Sequence, residues 1–236
     1  MKNLILTTAA LALGASMAFA DTVRMGTEGA YAPWNFINDA GEIDGFEREL
    51  GDELCKRASL TCEWVTNEWD SIIPNLVSGN YDTIIAGMSV TAERDEVIDF
   101  TQAYTPPDPS VYLAMDAGLD VGKGVIAAQA ATIQAAFIAE AGWTLIEFAT
   151  PEETVAAVRN GEADAVLADE AYLKPFDGQD GLVLLERTEM IGGGVGMGIR
   201  ESDGELRAKF DAAIQSMKDD GSLNALIEKW EVASTW

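Results

Sequence analysis

One thirteen-residue pattern occurs twice, and it constrains the fold more than any other feature of the chain. Residues 75–87 read NLVSGNYDTIIAG and residues 157–169 read AVRNGEADAVLAD, 82 residues apart. Each runs from a helix end through a glycine, two residues and an aspartate into a short strand closing at Ala86 or Ala168. A glycine after a helix supplies the left-handed residue that stops it, and a short apolar run beyond it fits a buried strand. Two such junctions predict two lobes of similar build, each with its own sheet. Two unrelated helix-to-strand junctions are the alternative. In open α/β sheets, ligands sit beyond the carboxyl ends of the strands. Gly87 to Ser89 and Asp169 would then face each other across an interlobe cleft.

Strand and helix patterns alternate along the rest of the chain. Phe46, Leu50 and Leu54 recur every four residues and predict a helix over 44–58. Further helices are expected over 70–78, 132–141 and 152–160. Two more finish the chain, one on Leu206, Phe210, Ile214 and Met217, the other on Leu223, Ile227 and Trp230. Strands are expected over 22–27, 61–65, 83–86, 110–115, 125–128, 145–148 and 165–168. Thr91 reads as an N-cap, because its hydroxyl can accept from a first-turn amide. Residues 29–35 read as a loop, and 117–123 as a short connection between lobes. This alternation predicts an α/β protein with mostly parallel sheets.

The chain opens with MKNLILTTAALALGASMAFA: Lys2, a short apolar run, and Ala18-Phe19-Ala20 before Asp21. That is the layout of a secretory signal cleaved after Ala20. The apolar run falls short of the roughly 20 residues a membrane span needs. Export into an oxidising compartment lets Cys55 and Cys62 pair as a disulfide. Two free buried thiols are the alternative.

Composition excludes several function classes. The chain has 40 Asp and Glu against 15 Lys and Arg, a net charge of −25, and no His. Nucleic acid and anionic membrane surfaces would be repelled. Without histidine there is no Ser-His-Asp triad and no His-based zinc site. The two cysteines do not suffice for a four-thiolate metal site, and nothing in the sequence calls for a cofactor. The acidity itself reads as a solvated, self-repelling surface, compatible with faster capture of a basic ligand.

Six segments in order, GTEGAYAPWNF (26–36), GFERELGDELC (45–55), WDSIIPNLVSGNYDTIIAGMSVTAER (69–94), VIDFTQAY (97–104), NGEADAVLADEAY (160–172) and GVGMGIRESDGELRAKFDAAI (194–214), resemble the extracytoplasmic amino-acid-binding proteins of ABC importers. The resemblance spans the whole chain after the signal. It implies the type II periplasmic-binding fold: two lobes, each a sheet flanked by helices, joined by a two-segment hinge. The lobes would be 21–109 with 196–236, and 110–195. It also implies a monomer that hands a free amino acid to a membrane permease and its ATPase, without turnover. The cysteine pair resembles the lysine/arginine/ornithine/histidine branch and its opine-binding relatives.

The same resemblance assigns a pocket whose chemistry makes sense residue by residue. Arg94 matches the family arginine; a guanidinium bonds the ligand's α-carboxylate in bidentate fashion. Ser89, the amides around Gly87, and Thr132 at a helix start would add donors to that carboxylate. Asp169 matches the family carboxylate for the α-ammonium. Contacts from opposite lobes to one ligand would close the cleft. Tyr31 and Trp69 match the aromatic walls, which also favour a cationic tail. Glu28 matches the acid that basic-amino-acid binders set against that tail. Gln134 is a further possible contact, Trp34 reads as packing, and Glu47 reads as facing water from its helix. The family's Gly-Thr is here Ala131-Thr132, and alanine lacks glycine's freedom for positive φ. Other readings are a binder of a neutral polar amino acid or an opine, a periplasmic dehydratase resembling the cyclohexadienyl enzymes on the same fold, and the sensor of a signalling protein.

Overall fold

The computed structural model describes residues 22–236, so the export segment and its cleavage site lie outside the described residues. The first half of the chain forms β1 (Val23–Thr27), β2 (Ala30–Tyr31), β3 (Asn35–Ile37), β4 (Ile43–Asp44), α1 (Phe46–Arg57), β5 (Cys62–Thr66), α2 (Ile72–Val77), β6 (Thr83–Ile84), α3 (Ala92–Asp95) and β7 (Asp99–Phe100). The second half forms β8 (Ser110–Ala114), β9 (Val125–Gln129), α4 (Ile133–Glu140), β10 (Thr144–Phe148), α5 (Pro151–Asn160), β11 (Ala165–Asp169), α6 (Glu170–Leu173), β12 (Val183–Glu189), β13 (Gly198–Ile199), α7 (Gly204–Asp219) and α8 (Ser222–Trp230).

Two five-stranded sheets carry the lobes, in the orders β5-β1-β6-β13-β7 and β10-β9-β11-β8-β12. In each, three strands are parallel: β5, β1 and β6 in one, β10, β9 and β11 in the other. The other two strands pair antiparallel, β13 between β6 and β7, and β8 between β11 and β12. The repeated pattern ends in β6 and β11, the central strands of the two sheets. Its glycines, Gly79 and Gly161, both have left-handed φ, 80° and 75°.

Its aspartates do equivalent work. Asp82 donates its N–H to the carbonyl of Arg24 at 2.8 Å and accepts the Arg24 N–H at 2.9 Å. Asp164 makes the same pair of bonds to Val125, at 2.8 and 2.7 Å. Each aspartate thus ties the start of its central strand to the strand beside it, Asp82 to β1 and Asp164 to β9. Asp82 also pairs with the guanidinium groups of Arg24 and Arg200. Although burial raises its pKa, those partners together hold the carboxyl at about 2.

The helices have legible ends. Thr150 and Glu153 form a capping box on α5, with Pro151 in the first turn. α1 begins after Gly45 at φ 115°, where a Cβ would lie 2.6 Å from the Trp34 carbonyl oxygen, so only glycine fits. Cys55 and Cys62 form a disulfide joining α1 to β5. α7 and α8 return to the first lobe and pack Phe210, Ile214, Leu223 and Ile227 against Phe46, Leu50 and Leu54.

The chain crosses between sheets twice, between β7 and β8 and between β12 and β13. The crossings touch where Thr105 bridges Val195 and the Tyr104 N–H donates to the Val195 carbonyl at 2.8 Å. Two local expectations are corrected. Residues 117–123 do not connect the lobes, because β8 and β9 on either side belong to one sheet. The expected loop over 29–35 instead contributes β2 and the start of β3 to a small sheet with β4, which packs beside the cleft. Its strands are too short to show a period in the sequence.

Removing the Asp82 carboxylate leaves Arg24 and Arg200 without it, whereas Asp164 has no such ion pair among the described residues. Asp82→Ala is expected to cost about 2–3 kcal/mol and Asp164→Ala about 1 kcal/mol, read from denaturant midpoints.

Candidate functional site

Carboxyl ends of strands from both sheets converge on one cavity. Glu28 follows β1, Gly87 and Ser89 follow β6, Gln129 ends β9 and Asp169 ends β11. Tyr31 enters from β2 and Trp69 from the short turn before α2. Arg94 comes from α3, whose N-cap is Thr91, with its hydroxyl accepting the Arg94 N–H at 3.2 Å. Thr132 caps α4. All eight residues nominated from the sequence line this cavity.

The lobes meet across it through named bonds. The Tyr31 hydroxyl donates to Asp169 Oδ2 at 3.0 Å and accepts the Asp169 N–H at 3.2 Å. Gln129 Nε2 donates to Glu28 Oε1 at 2.6 Å. The Trp69 indole N–H and Arg94 Nη2 both donate to the Ala131 carbonyl, each at 3.3 Å. Tyr172 of the second lobe stacks on Tyr31 with ring centroids 4.5 Å apart.

Arg94 is largely buried, with Nη1 donating to the Ser89 carbonyl at 2.9 Å and the guanidinium 5.3 Å from the Trp69 ring centroid. Its acidic sequence neighbours do not pair with it: among the described residues Arg94 makes no salt bridge. Burial lowers its pKa to about 10, so it stays charged at neutral pH. Burial raises Asp169 to about 6, against hydrogen bonds from Tyr31 and from Gln134 Nε2 at 2.9 Å. Asp169 does not cap α6 with its side chain. Burial likewise lifts Glu28 to about 7, with Glu68 nearby adding to the rise and Gln129 opposing it.

Several expectations need refinement. The Gly87 N–H is not free for a ligand, because it donates to Glu47 Oε1 at 2.6 Å. Glu47 does not face water. It is fully buried behind the cavity. The Thr132 hydroxyl is engaged in its cap, donating to the Gln129 carbonyl at 2.7 Å and accepting from Ala135 N at 3.2 Å. At the same helix start the N–H groups of Ile133 and Gln134, residues that line the cavity, have no partner among the described residues. Ala131 adopts a left-handed φ of 58° despite its methyl group. Trp34 packs beneath Gly87 with its edge against Phe46. Gln129 and Tyr172 were missed. Gln129 carries a detectable signal, since it ends a strand at the level of Asp169.

An interlobe cavity with acids and an arginine supplied by both lobes defines a two-lobed small-molecule binding protein. The chain belongs to the bacterial extracellular solute-binding proteins, family 3, whose model matches residues 23–233. It is similar to an octopine-binding periplasmic protein of Rhizobium meliloti, 30% identical over 98% of this chain and 97% of that one. It is also 30% identical to the lysine/arginine/ornithine-binding periplasmic protein of Escherichia coli, over 90% and 88%. A solved structure of a periplasmic His/Glu/Gln/Arg/opine family-binding protein from Silicibacter pomeroyi, in complex with lysine, is 70% identical. It superposes with a TM-score of 0.88 over 91% of this chain and 100% of that one.

Glu28 and Asp169 bind protons more tightly folded than unfolded, so stability falls as pH rises from their ordinary range through about 6 and 7. Glu47, also raised by burial, acts in the same direction. The thermal midpoint of the ligand-free protein should fall between pH 5 and 8, and less steeply in the Glu28→Gln, Asp169→Asn double variant.

Proposed function

We propose that the cleft captures an amino acid with a cationic side chain. One observation carries this reading: the charged residues lining the cavity are two acids, Glu28 and Asp169, and one base, Arg94. Arginine, lysine or ornithine offers the complement, two cationic groups and one carboxylate. Arg94 takes the α-carboxylate together with the α4 amides. Asp169 takes the α-ammonium, and Glu28 takes the side-chain cation between Tyr31 and Trp69. A neutral side chain would leave Glu28 without a counter-ion, with the Gln129 amide as its hydrogen-bond partner among the described residues. The arginine- and lysine-binding relatives support the same class.

The protein works in the periplasm as the capture component of an amino-acid ABC importer. It acts as a monomer with lobes 22–109 plus 196–236 and 110–195, the crossings serving as the hinge. It delivers its ligand to a permease and ATPase. Glu28 poised near 7 would also suit a general acid, so turnover is a second reading. Against it, each cavity carboxylate is tied by a hydrogen bond from the opposite lobe, which suits holding a cation.

Glu28→Gln should weaken arginine or lysine binding by about 2 kcal/mol or more, roughly 30-fold, in calorimetric titration. Unchanged affinity would remove Glu28 as selector. Arogenate and prephenate should remain intact on incubation with the protein.

A further inference from the structure

Glu47 is the one fully buried carboxylate among the described residues, and ligand capture leaves it unused. It sits in the first turn of α1 and does not line the cavity. Its Oε2 accepts Asn35 Nδ2 at 2.7 Å. Its Oε1 accepts the Gly87 N–H at 2.6 Å and the Tyr104 hydroxyl. Each donor belongs to a different part of the cleft. Asn35 Oδ1 accepts the Gly29 N–H at 2.7 Å, next to Glu28. Gly87 is the cavity floor against Tyr31 and Trp34 and needs its left-handed φ of 62°. Tyr104 begins the first crossing, where its N–H holds Val195 of the second.

We propose that Glu47 is a positioning residue for selectivity, holding Glu28 where it can meet a cationic side chain through the relay Glu47–Asn35–Gly29. This rests on the reading of the cleft as a site for a cationic amino acid. The relay requires a carboxylate. A glutamine amide at the Oε1 position would oppose the Gly87 N–H, and at the Oε2 position it would oppose the Asn35 amide. Asn35 has no freedom to flip, because its oxygen is needed by Gly29. Glu47→Gln therefore sets donor against donor whichever way it turns, and the strain is passed to the loop bearing Glu28.

The test is a double-mutant cycle with arginine and its neutral isostere citrulline, by calorimetric titration of the ligand-stripped protein. Glu47→Gln is expected to lose about tenfold more affinity for arginine than for citrulline. In the Glu28→Gln background the same change should cost arginine less than about twofold, because the residue it positions is already gone. Equal losses for both ligands, or a full additional loss on top of Glu28→Gln, would overturn the proposal and leave Glu47 a plain support. If Glu47→Gln does not fold, Asn35→Ala breaks the relay arm alone and should give the same selective loss. Failure of the unsubstituted chain to bind arginine, lysine or ornithine overturns the reading of the cleft, and this inference with it.

Discussion

Charges withdrawn from water need partners, and the rest of the cleft depends on that constraint. Arg94, Asp169 and Glu28 are brought into one cavity from which most solvent is excluded, and their pKa values shift toward the neutral forms. Carbonyls, a tyrosine hydroxyl and two glutamine amides satisfy them in part. None of these partners carries charge. A desolvated charge held only by dipoles gains most from a counter-ion. An ion of opposite pattern would supply the missing counter-charges and, touching both lobes, would favour the closed arrangement.

The fold places those groups by repetition. Both lobes use a left-handed glycine and an aspartate that clasps the strand beside the central one, and both central strands end at the cleft. Residues following them therefore face each other without any long loop to order. Behind this, Glu47 ties the loop after β1, the turn after β6 and the first crossing to one buried carboxylate. The first lobe's contribution to the site is in this way a single unit.

The repeat, the helix periods and the six family segments made the architecture legible, and all eight nominated residues reached the cavity. What stayed hidden has physical causes. The strands β2, β3 and β4 are too short for a period to emerge. Glu47 lies among Glu49, Asp52 and Glu53 on α1 and looks like one more solvated acid. Only the tertiary arrangement shows its donors, which come from residues 35, 87 and 104. The Gly87 amide reads as a ligand donor because sequence does not show that Glu47 already occupies it. Gln129 and Tyr172 act across the cleft, a relation fixed by the closure of two lobes.

The measurement that tests the central claim most directly counts protons. Arginine and citrulline are titrated at pH 6 in buffers of different ionisation enthalpy. Glu28, with a pKa near 7, is mostly protonated there and must release its proton to meet a guanidinium. Arginine should release about one proton more than citrulline, and Glu28→Gln should abolish the difference. Equal proton release with equal affinity for the two ligands would contradict the account, because the cleft would then be indifferent to the charge of the side chain.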